Sequence, residues 1–163
     1  MKRFFLLVMM LLGLLVCNAN ATNVLQGLVV GVSDGDSLTL LDAEKRQHKI
    51  RLQGIDAPEM KQAYGQKSKE SLSKLVFNKT IKVNWSKKDR FGRMVGQVML
   101  ADIDICLEQV RRGMAWHFKD YQDEQSEQDR GLYDRAEVQA REQRLGLWQD
   151  AAPVEPSVFR QKK

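Results

Sequence analysis

Cysteine and histidine are scarce in this chain, at two residues each, and their positions exclude most of the chemistry they could supply. Cys17 lies in an apolar N-terminal stretch, so Cys106 stands alone in the remainder and no internal disulfide is expected there. With Ile105 and Leu107 beside it, Cys106 reads as a buried thiol and not as a nucleophile. His48 and His117 are isolated from each other and from both cysteines, which leaves a zinc site without ligands at a workable spacing. Any metal should therefore be hard and oxygen-bound. Long hydrophobic runs are missing too: the stretch from Phe4 to Val16 is short of the roughly 20 residues that a membrane span needs. Proline occurs three times, twice in the last eleven residues, and no segment repeats or is of low complexity.

What is present at the N-terminus has the layout of a secretory signal: Lys2 and Arg3, the apolar stretch, then the small-residue exit Asn18-Ala19-Asn20-Ala21. Cleavage is expected after Ala21, giving a secreted or periplasmic protein with no membrane attachment. Anchoring as a lipoprotein through Cys17 is the weaker alternative, because Val16 stands where a small side chain belongs. Removing residues 1–21 leaves 142, enough for one domain with one core. That domain is expected over 22–150, followed by a loose polar tail over 151–163 that holds Pro153 and Pro156.

The first half of the domain reads as strands. Val24 to Val32 and Ser37 to Leu41 flank the turn signal Asp34-Gly35 and suggest a hairpin, and His48 to Ile55 suggests a third strand ended by Pro58. Ala63 to Phe77 carries Leu72, Leu75 and Val76 at helical spacing, with Asn78 as a stop. Thr80 to Trp85 and Met94 to Leu100 give a fourth and a fifth strand around a basic loop. A second helix is expected from Asp104 to Gly113, capped by Asp102 with Asp104. A third carries Leu132, Ala136 and Ala140, with Gly146 as its left-handed cap. Five strands with a helix between the third and fourth, then further helices, predict an α+β fold: a five-stranded OB-type β-barrel with about three α-helices.

The residues with chemical potential fall at strand ends. Asp36 follows the first strand, Asp56 and Glu59 follow the third, and if those strands are neighbours the carboxylates can converge at one rim. Two such charges repel, and a hard divalent cation relieves the repulsion. Arg51 adds a planar donor fork suited to phosphate. In Asp89-Arg90-Phe91-Gly92-Arg93 the glycine lets Arg93 turn inward, while Phe91 offers a flat face for a base. Lys87, Lys88 and Arg90 read either as ordinary solvent-facing charge or, beside Phe91 and Arg93, as a funnel for a polyanion. The run Gly31-Val32-Ser33-Asp34-Gly35 matches the serine elbow of hydrolases, but that elbow joins a strand to a helix and here a strand follows.

Five short segments, in this order and spacing, resemble the staphylococcal nuclease-like (thermonuclease) family: Asp34 to Ser37, Arg51 to Glu59, Asp89 to Arg93, Val110 to Trp116, and Ala136 through Trp148. The resemblance implies that Asp36, Asp56 and the main-chain carbonyl of Ala57 bind Ca2+. It implies that Glu59 orients or deprotonates the attacking water and that Arg51 and Arg93 grip the scissile phosphate. Lys88, Phe91 and Tyr121 would contact substrate, with Phe91 where the family has a tyrosine and Lys119 where a further tyrosine is expected. The implied activity is calcium-dependent hydrolysis of DNA and RNA by a monomer, with little sequence preference and 3′-phosphate products. The alternative is a noncatalytic OB-fold nucleic-acid-binding protein.

Overall fold

A computed structural model describes residues 23–161; the expected signal peptide, its cleavage point and Cys17 lie outside the described residues. Among the described residues no helix is long and apolar enough to cross a membrane.

Five strands close the barrel: β1 (Asn23–Val32), β2 (Ser37–Leu41), β3 (Gln47–Leu52), β5 (Thr80–Lys88) and β6 (Met94–Leu100). β1 runs antiparallel to both β2 and β5, β2 to β3, and β5 to β6. Parallel pairing of β3 with β6, from Ile50 opposite Met94 to Leu52 opposite Gly96, completes the ring. Alternation along the strands sends Val29, Leu38, Leu40, Ile50, Leu52, Val83 and Val98 inward, where all are buried. Each such side chain contributes about 1.5 to 3 kcal/mol on burial.

Helix α1 (Gly65–Val76) joins β3 and its extension to β5, burying Leu72 and Val76, and it stops before Asn78, whose backbone is left-handed. Helix α2 (Ile105–Arg111) begins at Asp104, whose Oδ1 accepts from the Leu107 amide at 3.1 Å, so Asp104 and not Asp102 is the cap. Cys106 in this helix is fully buried, and that burial pushes its thiol well above the ordinary range, as expected for an inert core residue. Helix α3 (Glu127–Glu142) starts at Ser126 and turns Tyr133, Ala136 and Ala140 to the core.

Four details differ from the sequence reading. The third strand ends at Leu52, because Gly54 takes a left-handed turn, and the chain resumes as β4 (Ile55–Asp56) paired with β8 (Trp116–His117). A short β7 (Ile103–Asp104) also extends β6. Arg144, and not Gly146, is the left-handed residue just after α3; Gly146 serves close approach, since a Cβ there would lie 2.1 Å from the Gly113 carbonyl oxygen. The tail is not loose over the described residues: it forms α4 (Pro156–Gln161), a fourth helix, with Pro156 buried.

Candidate active site

The barrel places the site where β2 begins and β3 ends. Ser37 lies opposite Arg51, and the Leu52 amide donates to the Asp36 carbonyl at 2.8 Å, so Asp36 and Arg51 share one rim. β4 carries Asp56 onto the same rim, held from behind by β8. The Ala57 amide donates to Asp36 Oδ2 at 2.9 Å, locking the two acidic loops together. Asp36 and Asp56 are 6% and 3% exposed. The expected convergence of residues 20 positions apart is therefore a direct product of strand neighbourhood.

Arg51 ties these parts together. Its Nη1 lies 2.9 Å from Asp36 Oδ2 and donates to the Ile55 carbonyl at 2.8 Å, while Nη2 donates to Asp56 Oδ1 at 3.2 Å. Arg93 reaches the rim from the loop between β5 and β6. Asp89 Oδ1 accepts from the Phe91 and Arg93 amides, Asp89 Oδ2 accepts from Arg93 Nε at 2.7 Å, and Gly92 supplies the left-handed turn. So held, Arg93 Nη1 donates to Ser37 Oγ at 3.2 Å, and Ser37 Oγ donates to Asp36 Oδ1 at 2.9 Å. Burial pushes Asp89 upward, but the side-chain and backbone hydrogen bonds from Arg93 outweigh it and leave the carboxyl below its ordinary range.

Asp36, Arg51, Asp56, Ala57, Glu59, Lys88, Phe91, Arg93 and Tyr121, the full set of expected site residues, line one cavity of about 680 Å³. Phe91 and Tyr121 stand 69% and 51% exposed at its edge. Arg90 and Arg93 flank the Phe91 ring, and Lys87 lies over Tyr121 while pairing with Glu124. Lys119 instead pairs with Asp134 and Glu137 of α3 and lines a smaller neighbouring cavity.

The donor set of the cavity suits a hard cation: Asp34, Asp36, Asp56 and Glu59 all line it, and carboxylate oxygen is the ligand such a cation prefers. Carboxylates are crowded here, for burial and then the charge of Asp36 push Asp34 up to about 6. Asp56 is also raised, by burial first, against the opposing hydrogen bond of Arg160 and with the repulsion of Asp36. Among the described residues, however, no three acidic, histidine or cysteine side chains converge as a finished ligand set. The Asp56 oxygens are instead engaged by Arg51 and by Arg160 of α4.

Two contributors, Gln109 and Arg160, escaped the sequence reading, and a third, Asp89, was read as part of its motif without its role. Asp89 was detectable as an Asx-type turn acceptor four residues before Arg93. Gln109, fully buried, donates to the carbonyls of Gly35 and Ser68 at 2.9 and 3.2 Å and accepts from Ser71 Oγ, bracing the acidic loop against α1. Arg160 had no local signal at all. The bracing leaves no room at Gly35: a Cβ there would stand 1.8 Å from Ser68 Oγ, itself pinned to the Met114 carbonyl, and 2.7 Å from Ala57 Cβ. Gly35→Ala is expected to cost about 1 to 3 kcal/mol of stability and to slow cleavage by displacing Asp36, readable by chemical denaturation beside a rate assay.

Comparison with known proteins agrees with this fold. Residues 49–150 match the family described as staphylococcal nuclease homologue. A Haemophilus influenzae protein named an uncharacterized endonuclease is 42% identical over 83% of this chain and 72% of its own. An Escherichia coli O157:H7 protein of the same name is 39% identical over 85% and 87%, respectively. The micrococcal nuclease of Shigella flexneri is 34% identical over 83% of this chain and 80% of its own. The chain belongs to the staphylococcal nuclease homologue family.

Proposed function

We propose that this chain, a nuclease hydrolysing phosphodiester bonds in nucleic acid, is calcium-dependent, acts on DNA and RNA with little sequence preference, and leaves 3′-phosphates. The observation that carries the reading is the convergence of Asp36, Asp56, Glu59, Arg51 and Arg93 on one cavity whose edge presents Phe91 and Tyr121. Asp36, Asp56 and the Ala57 carbonyl would hold calcium, which when bound supplies charge neutralisation at a nonbridging phosphate oxygen.

The remaining work falls to side chains. Glu59 takes a proton from the water that attacks phosphorus, and its backbone is fixed for the task by a mutual turn with Gln62: the Glu59 amide donates to Gln62 Oε1 and the Gln62 amide to the Glu59 carbonyl. As the new P–O bond forms, the bond to the 5′ oxygen breaks and its electron pair leaves with that oxygen, which takes up a proton. Arg51 and Arg93 donate to the nonbridging oxygens and stabilise the added charge. Lys88 attracts the backbone, and the exposed rings of Phe91 and Tyr121 give bases a stacking surface without reading their edges, in keeping with weak sequence preference. The reading includes export through residues 1–21, supported by Lys2, Arg3 and the apolar stretch behind them.

The test is digestion of plasmid and denatured DNA, and of RNA, with calcium and then with a chelator, followed by end-group analysis. Cleavage that stops with the chelator and leaves 3′-phosphates is expected. Undiminished cleavage in chelator would remove calcium from the account, and 5′-phosphate ends would reverse the assignment of the broken bond.

A further inference from the structure

The most informative feature outside the expected site is its occupant from the chain's own end. Arg160 of α4 donates from Nη1 to Asp56 Oδ1 at 3.1 Å and to Glu59 Oε1 at 3.0 Å, and from Nη2 to Asp56 Oδ2 at 2.9 Å. One guanidinium thus engages both oxygens of a carboxylate offered to the cation and one oxygen of the carboxylate offered to the water. A planar guanidinium saturates a carboxylate in this two-point geometry better than any other side chain. A cation binding Asp56 would need the same lone pairs.

The segment that delivers Arg160 is placed to be released. Pro156 is buried, Gln62 Nε2 donates to the Val154 carbonyl, and the Phe159 amide donates to the Glu155 carbonyl within the segment, but much of its surface faces solvent and the Arg160 side chain is 42% exposed. Segments of this kind open at far lower free energy than a barrel strand. Its path also divides the space around Asp56: the 680 Å³ cavity lies on the Arg160 side, and a smaller one of about 150 Å³ is walled by Glu155, Pro156 and Ser157.

We propose that α4 is an autoinhibitory strap in which Arg160 stands in for the divalent cation, so that the cation and Arg160 compete for Asp56 and the strap sets the calcium concentration at which the nuclease switches on. The inference rests on the reading of Asp56 as a calcium ligand. While the strap is closed, both Asp56 oxygens are engaged and Glu59 is held by one of its own, so the cation meets a neutralised carboxylate and the base is paired to a guanidinium. When calcium wins, Arg160 leaves both residues at once, and a single event arms the ligand and the base together. A cation that binds only the open state has its apparent affinity reduced by the open fraction, and a part-exposed ion pair sets that factor at roughly two- to tenfold.

The experiment is calorimetric titration of calcium alone, with no nucleic acid, into the full chain and into Arg160→Gln, Arg160→Lys and Asp56→Asn, with circular dichroism to confirm folding. Arg160→Gln is expected to bind calcium roughly two- to tenfold more tightly than the parent, Arg160→Lys to fall between them, and Asp56→Asn to lose binding. Equal affinity of parent and Arg160→Gln, with binding lost in Asp56→Asn, would overturn the strap and leave the calcium site standing. Weaker binding by Arg160→Gln would also overturn it, by making Arg160 a support of the site. Parent-like binding by Asp56→Asn, or no binding by any protein, would remove the calcium reading itself and the strap with it.

Discussion

Arg93→Ala is expected to slow DNA cleavage about a hundred- to a thousandfold, the usual consequence of deleting one preorganised donor to developing negative charge. The same change should leave stability within about 0.5 kcal/mol of the parent. Arg93 sits at the barrel's edge, its firmest partner is Asp89 in its own loop, and its reach to Ser37 is a single long hydrogen bond. Nothing in the core is unsupported when it goes. Arg93→Lys should recover little of the rate, because a lysine keeps the charge but cannot both hold Asp89 and present a second donor pair. A single-turnover rate on a defined oligonucleotide, beside a denaturation curve, separates these outcomes. A parent-like rate would remove Arg93 from the mechanism.

Arg51→Ala should lose cleavage to a similar degree and also lose stability. Arg51 is part of the architecture: it bridges Asp36 to Asp56 and donates to the carbonyls of Leu52 and Ile55, fixing the turn that separates β3 from β4. Its removal leaves Asp36 with no guanidinium and brings the mutual repulsion of two buried carboxylates to the surface of the energetics. A loss of about 3 kcal/mol is expected, the lower end for breaking a buried pair, since Arg160 still neutralises Asp56. Calcium should restore part of it by occupying the carboxylates that Arg51 leaves exposed to one another. Arg51→Lys is expected to regain more stability than rate. Denaturation curves of both variants with and without calcium, beside their cleavage rates, give the comparison; an Arg51→Ala protein as stable as the parent would show that the bridge is not structural.

The contrast between these two arginines marks the boundary of what was legible in the sequence. Asp36, Arg51, Asp56 and Glu59 could be read because strand neighbourhood follows from alternation and turn residues, and neighbouring strands bring their ends to a common rim. The five-strand barrel was legible for the same reason. The division of labour was not, because it depends on which atoms each guanidinium meets: four acceptors for Arg51, and mainly its own loop for Arg93.

Misplaced details have local causes. Gly54 could have been read as a break in the third strand, but Ile55 and Asp56 continue the extended pattern and mask it. Gly146 carries the expected positive φ, yet the space beside Gly113 and not the end of α3 is what requires it. Arg160 lies 101 and 104 positions from Glu59 and Asp56 in a polar segment, where one arginine among charged neighbours carries no periodic or turn signal. Contacts of that range come from tertiary packing alone.

The central claim is that Asp36 and Asp56 jointly hold one calcium beside two arginines. A crystal structure of the full chain at saturating calcium, with anomalous scattering to locate the ion, tests it most directly. The account predicts a single calcium peak touching both carboxylates, with Arg160 displaced from Asp56. A peak elsewhere, or Asp56 still capped by Arg160 with no ion beside it, would contradict it.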